Sequence, residues 1–512
     1  MGKLTKSLRC SLGALALLAA TSTGCEIGDG AETSELAFET ICYDEDQFTA
    51  GCRIQLRKDS WAPVFADYAA ANEIDRTGAQ VRFFPRGENP YEKVAYVFGP
   101  HIQTKEFPTP DSEINFIQDR LSPILGEARA EFDKEGVSML YLGFGNRENS
   151  QQPLVHRVAI AKWVLKRFKA IRTQHNRNEE QPADALLMGF SLGGVVGKIA
   201  LAELENSAIQ NGGTAESAHD VGTYISLDAP HMGAYTPLAF QFLPIFIKNA
   251  LEKFKSKVGG GLNGLFVDFV EIFKDLGLDR LDGSIGLTND VITMGLKSPL
   301  AQDILISNMA YDDFRSPNRD YLVDRSSLPT TTNNIALTSG ATNGTGLGLG
   351  DTFFTFDTGE GPSDLQFQIT ASTPTPESTQ FFRGRLRYRK SPFQTSDSKY
   401  TRTWRIHPND INLERGSCGW QSVLPRATKE QLENSFRSVW GNFTIDIQED
   451  RNCFIPTYSS MNARGGVNST RANSNFDVVI PNAVNNPHLT FSPNQISTAK
   501  VYINRHFSGL GL

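Results

Sequence analysis

Residues 185–202 read A-L-L-M-G-F-S-L-G-G-V-V-G-K-I-A-L-A. Residues 185–189 are a short apolar run of strand length, and from Leu192 to Leu204 the text becomes that of a buried helix. Ser191 falls at the turn between the two. A strand that passes at once into a helix forces its turn residue into a strained conformation where only small neighbours fit. Gly189 and Gly193 supply those neighbours. Such a turn lifts the Ser191 hydroxyl clear of the sheet and sets the amide of Leu192 at a helix start, where it can donate to a developing oxyanion.

The flanking sequence alternates in the same way. Residues 94–98 (VAYVF), 137–144 (VSMLYLGF), 224–227 (YISL) and 335–338 (IALT) read as buried strands. Between residues 154 and 171, Val158, Ala161, Val164, Leu165 and Phe168 recur at three- and four-residue steps, which predicts a helix. Alternating strands and helices are what a parallel sheet requires. Residues 351–405 instead alternate with period two in DTFFTF, LQFQIT and FFRGRLRYRK, which predicts an inserted antiparallel sheet. Its period would put Arg383, Arg385, Arg387 and Arg389 on one face, either solvated or facing anionic head groups. The expected division is a core over 46–345 that includes a Phe-rich helical segment at about 237–306, a β-rich insertion over 346–450, and a return to the core over 451–512.

Lys3, Lys6 and Arg9 precede an apolar stretch, residues 12–20, of the length an export signal needs and too short to span a bilayer. S-T-G-C, ending at Cys25, is similar to the lipobox at which bacterial lipoproteins are cleaved and acylated. Residues 1–24 are therefore expected to be a signal peptide, Cys25 a lipid anchor and residues 25–45 a polar tether. The protein would be an exported lipoprotein of the outer membrane or cell surface, or secreted or periplasmic if cleavage is conventional. Cys42, Cys52, Cys418 and Cys453 then remain, an even number that suggests Cys42–Cys52 and Cys418–Cys453 disulfides, with buried thiols as the alternative. There is no C-x-x-C pair to suggest structural zinc. A net charge of −7 without a long run of Lys or Arg argues against a nucleic-acid partner.

With strand, G-x-S-x-G and helix in place, the chain resembles the α/β-hydrolase superfamily on its lipase and esterase side. I-S-L-D-A-P-H-M-G-A at 225–234 is similar to the P-H-x-G segment of many lipases and inositol-deacylase-like proteins. F-I-P-T-Y-S-S at 454–460 and N-N-P-H at 485–488 fall near where that family places its histidine. The resemblance covers residues from about 94 to 231 and from 452 to the end.

The resemblance implies an α/β-hydrolase fold, a mainly parallel sheet flanked by helices, and acyl transfer with Ser191 as nucleophile and no cofactor. The Phe-rich segment would be a lid, mobile as in many lipases or a fixed cap. The family order of serine, acid, histidine points to His488 as base, with His231 as the alternative. No carboxylate follows residues 335–338 until Asp351, and Asn452 stands where lipases often carry Asp. Asp228, at a strand end that some lipases use, is the expected acid, and Asp477 the alternative. A second oxyanion donor, beside Leu192, would come from F-G-P-H-I; Pro100 has no N–H, which leaves His101 or Ile102. The implied partner is an ester or lipid substrate. An amidase, peptidase or transacylase of the same fold, or an inactive surface binding protein, are the rivals.

Overall fold

Val94, Ala95, Tyr96, Val97 and Phe98 are all fully buried, which a strand achieves only inside a sheet covered on both faces. In the computed structural model the described residues are 39–42, 52–55, 80–100, 114–115, 117–143, 153–176, 184–236, part of 238–249, 299–306, 319–349, 352–357, 365–372, 380–388, 398–405, 416–422, 444–447, 451–463 and 469–509.

The main sheet contains β1 (Glu39–Cys42), β2 (Cys52–Gln55), β3 (Gln80–Phe84), β4 (Val94–Phe98), β5 (Ser138–Gly143), β6 (Ala185–Phe190), β7 (Val221–Leu227), β8 (Asn333–Leu337) and β16 (Val478–Ile480). Its order is β1-β2-β3-β5-β4-β6-β7-β8-β16. From β5 to β16 neighbours are parallel, and β1, β2 and β3 add an antiparallel edge. Helices α1 (Pro123–Glu135), α2 (Leu154–His175) and α3 (Leu192–Gln210) link successive parallel strands, and α4 (Pro493–Phe507) lies near the C-terminus. Side chains alternate across a strand, so Tyr96 and Phe98 pack with α2 and α3 while Ala95 and Val97 pack with α1 and α4. This is the α/β-hydrolase fold.

Local chemistry sets the helix ends that matter for the site. No side chain caps α3, which starts directly from the strained Ser191. Helix α4 starts with a full capping box, Ser492 with Gln495, and with Pro493 in its first turn. Gln495 also donates to the Thr338 carbonyl at 2.9 Å, tying the helix to the end of β8.

A second sheet is built from β9 (Thr352–Asp357), β10 (Leu365–Ser372), β11 (Gln380–Tyr388), β12 (Ser398–Arg405) and β14 (Thr444–Ile447). Its order is β12-β11-β10-β9-β14, and it is antiparallel throughout. Phe381 and Phe382 of β11 meet Phe242 and Phe246, with ring centroids 5.1 Å (Phe242–Phe381) and 5.6 Å (Phe246–Phe382) apart. The described start of the Phe-rich segment is thus packed on the inserted sheet. Residues 251–298, most of the expected lid, lie outside the described residues, as do Cys25 and the expected signal. Arg383 is exposed and Arg385 and Arg387 are half-buried; Arg389 also lies outside the described residues.

Two findings alter the expectations. Strand β1 begins at Glu39, inside the stretch read as tether. Its register sets Cys42 opposite Cys52, whose side chains lie outside the described residues. Cys418 and Cys453 do not form the expected disulfide; both are buried thiols. They occupy the two-stranded sheet of β13 (Cys418–Ser422) and β15 (Arg451–Pro456), whose register sets Trp420 opposite Cys453 and Cys418 opposite Pro456, with a bulge between Gly419 and Trp420. The cysteines are therefore not cross-strand neighbours.

Candidate active site

Ser191 has φ 50° and ψ −121°, a conformation that costs an L-residue energy and that the surroundings hold in place. Its amide donates to the Leu227 carbonyl at 2.9 Å, and its carbonyl accepts from Gly194 at 3.0 Å. Tyr224 of β7 donates to the Gly194 carbonyl at 2.6 Å, fastening the turn from the neighbouring strand. A methyl group on Gly193 would overlap the carbonyl oxygens of Phe98 and Gly99, so the close approach of turn and β4 needs glycine there.

Asp228 follows the last residue of β7 and is also strained, with φ 46°. Its amide donates to the Leu337 carbonyl at 2.8 Å, and its carboxylate is fully buried. Oδ1 accepts from the Ser339 amide at 3.0 Å, and Oδ2 lies 2.7 Å from His488 Nδ1. His488 sits in the loop between β16 and α4, just before Leu489, which has φ 64°. Its Nε2 lies 2.9 Å from Ser191 Oγ. Three of the four non-glycine residues with positive φ among the described residues are thus Ser191, Asp228 and the neighbour of His488. Strain is concentrated where the side chains meet.

The proton positions follow from the partners. An ionised carboxylate only accepts, so His488 carries its proton on Nδ1 and donates it to Asp228. Nε2 is then the bare nitrogen and accepts the Ser191 hydroxyl proton. The Phe454 ring stands edge-on to the imidazole at 5.0 Å and borders it. Asp228 is fully buried, Ser191 is buried and His488 is 15% exposed, so the row is most open at the histidine. Leu192 is the first residue of α3, so its amide has no intrahelical acceptor.

The alternatives lie elsewhere. His231 is fully buried and pairs with Ser226 Oγ at 2.7 Å; burial, aided by the charge of Lys198, pushes its pKa well down and keeps it neutral. Asp477 accepts from the Asn334 amide at 2.8 Å and from its side chain at 3.2 Å. Asn334 is near the start of β8, the end of the strand remote from the loop that holds Ser339. Asp477 is thus a carboxylate that ties β8 to the segment before β16. Asn452 is buried and bonds the Cys453 carbonyl at 3.1 Å. His101 lies outside the described residues.

The sequence reading missed the residues that surround the row. Ser339 contacts Asp228 through its backbone, which leaves no side-chain signature. A methyl group on Gly419 would overlap Asp228 Oδ2, so a glycine that returns from the β insertion covers the carboxylate.

No protein-family model matches the sequence, and no curated protein does. Solved structures do match. An α/β serine hydrolase homologue from Coxiella burnetii is 15% identical, with 30% of this chain and 59% of that one covered and a TM-score of 0.18. An esterase from the Planctomycetes species Thermogutta terrifontis is 12% identical over 31% of this chain and 51% of its own, with a TM-score of 0.19. Est1E from Butyrivibrio proteoclasticus is 12% identical over 34% and 51%, with a TM-score of 0.17. The chain thus spans less than two thirds of each. By its own sheet order, crossovers and serine turn, the chain has the fold of an α/β hydrolase.

Proposed function

We propose that this protein is a serine hydrolase that cleaves carboxylic esters through an acyl-enzyme on Ser191. The observation that carries the reading is the continuous row Ser191 Oγ to His488 Nε2 at 2.9 Å and His488 Nδ1 to Asp228 Oδ2 at 2.7 Å. In the reaction, His488 removes the hydroxyl proton as Ser191 Oγ attacks the ester carbonyl carbon. The Leu192 amide donates to the oxyanion, and Asp228 stabilises the imidazolium. His488 passes its proton to the leaving alkoxide; water, activated by the same nitrogen, then releases the acid and frees the serine. The similarity to lipases and inositol-deacylase-like proteins around residues 225–234 favours esters, lipids included, over amides. The basic and apolar N-terminal stretch and Cys25 favour export with a lipid anchor, at the outer membrane or cell surface, over free secretion.

The test is rapid mixing with short-chain nitrophenyl esters. Nitrophenol is expected in a burst equal to the enzyme concentration, followed by slower turnover, as an acyl-enzyme that forms faster than it is hydrolysed gives. Turnover no faster than with Ser191→Ala would contradict the reading.

A further inference from the structure

The loop that carries His488 has no regular secondary structure of its own, yet its imidazole meets Asp228 and Ser191 at the same time. Something must hold the backbone on both sides of it. Trp420 of β13 does so through three bonds. Its amide donates to the Asn486 carbonyl at 3.1 Å, and its carbonyl accepts from the His488 amide at 2.7 Å. Its indole Nε1 donates to the Asn485 carbonyl at 3.2 Å. The loop thus runs alongside β13, joined to it by a single parallel bridge between Trp420 and Pro487.

Asn485 locks that arrangement from the other side. Its Oδ1 accepts from the amides of Ala341 at 2.9 Å and Cys418 at 3.0 Å, and from the Ser417 hydroxyl at 3.1 Å. Its Nδ2 donates to the carbonyls of Thr345 and Gly346, each at 2.9 Å. One amide group therefore joins the turn after β8, the entry to β13 and the histidine loop. A short side chain with an acceptor and a two-proton donor on one carbon is what this junction needs, and asparagine supplies it. The segment it anchors also brings Gly419 against Asp228 Oδ2, the atom that bonds His488.

We propose that Asn485 and Trp420 are positioning residues, which fix the backbone around His488 so that its ring spans Asp228 and Ser191. The strand that returns from the β insertion is then an integral part of the active centre. This inference rests on the serine-hydrolase reading. A displacement of about 1 Å in such a site lowers the rate by roughly 10²-fold.

The test is kcat and KM of the full chain on a short-chain nitrophenyl ester, with thermal unfolding of each variant. Asn485→Ala is expected to lose roughly 30- to 100-fold in kcat with KM within about threefold. Asn485→Asp keeps the acceptor but turns a carboxylate oxygen toward the Thr345 and Gly346 carbonyls, so it is expected to lose at least as much in kcat as Asn485→Ala. Gly419→Ala carries the test should Asn485→Ala not fold: its methyl displaces Asp228 Oδ2, so kcat should fall at least about tenfold with KM again little changed. A folded Asn485→Ala or Gly419→Ala with kcat within about threefold of the wild type would overturn the proposal, as would an Asn485→Asp that keeps full kcat. A wild type without ester turnover would contradict the serine-hydrolase reading, and this inference with it; an active wild type with unaffected variants contradicts this inference alone.

Discussion

A histidine–carboxylate pair stands at each end of helix α3. At its start, beside Ser191, are His488 and Asp228, 2.7 Å apart. Toward its end, Glu205 meets His219 at 3.2 Å, both buried. Fourteen residues of helix put the two sites roughly 21 Å apart. The difference lies in what else each pair touches. Glu205 also accepts from the amides and hydroxyls of Thr330 and Thr331, at 2.7 to 3.0 Å. His219 Nδ1 accepts from the Val221 amide at 3.3 Å, so its Nε2 carries the proton toward Glu205. Every bonding position is taken within the fold, and the pair serves as a staple between α3, the entry to β7 and the approach to β8. The pair at the other end has one nitrogen facing a hydroxyl at a partly open edge. The structural tie and the proposed proton relay thus use the same two chemical groups and differ in whether the outer nitrogen faces a hydroxyl.

The largest expected effect tests the relay. Asp228→Asn keeps the size of the side chain but favours the wrong imidazole tautomer, so kcat/KM should fall on the order of 10⁴-fold while unfolding stays cooperative. A loss under tenfold would mean that Asp228 is a second structural tie.

A smaller effect, on stability, tests the staple. Burial alone would raise the Glu205 carboxyl, but hydrogen bonds from His219, Thr330 and Thr331 outweigh it and lower its pKa from 4.5 to about 2. A carboxyl depressed in the folded state stabilises the fold above its unfolded value, and that contribution is lost as pH falls from 4.5 toward 2. Denaturant unfolding at stepped pH should therefore show a decline across that window that is much shallower in Glu205→Gln. Near neutral pH the variant should lose about 1–3 kcal/mol of stability, because a hydrogen-bonded buried charge has been removed. Its kcat should stay within about threefold of the wild type, since the pair is remote from Ser191. A large rate loss without a stability loss would erase the distinction between the two ends.

That Ser191, His488 and Asp228 meet was largely legible in the sequence, and the reason is local. Ser191 lies where a strand becomes a helix, so neighbouring residues alone dictate its turn; Asp228 lies at the end of the next strand, in the same layer. His488 was reached by its place in family order. The strands over 94–98, 185–189 and 335–338 were legible because strands buried on both faces are continuously apolar. The supporting shell was not. Asn485 meets Ser417 and Cys418 across 68 and 67 residues, and Trp420 meets His488 through backbone atoms, so neither leaves a periodic trace. His219 and Glu205 escaped notice because their link depends on how α3 packs beside β7. The Cys418–Cys453 expectation failed because closeness in sequence does not set register: the strands pair with Trp420, not Cys418, opposite Cys453.

The most direct measurement is the reaction of the full chain with a fluorophosphonate, followed by peptide mass mapping, because only an activated serine is phosphonylated quickly. Rapid labelling to one equivalent on the peptide containing Ser191, absent from Ser191→Ala and slowed by orders of magnitude in His488→Ala, is the expected result. No labelling, or a principal adduct on another serine, would contradict the assignment of Ser191 as the activated nucleophile.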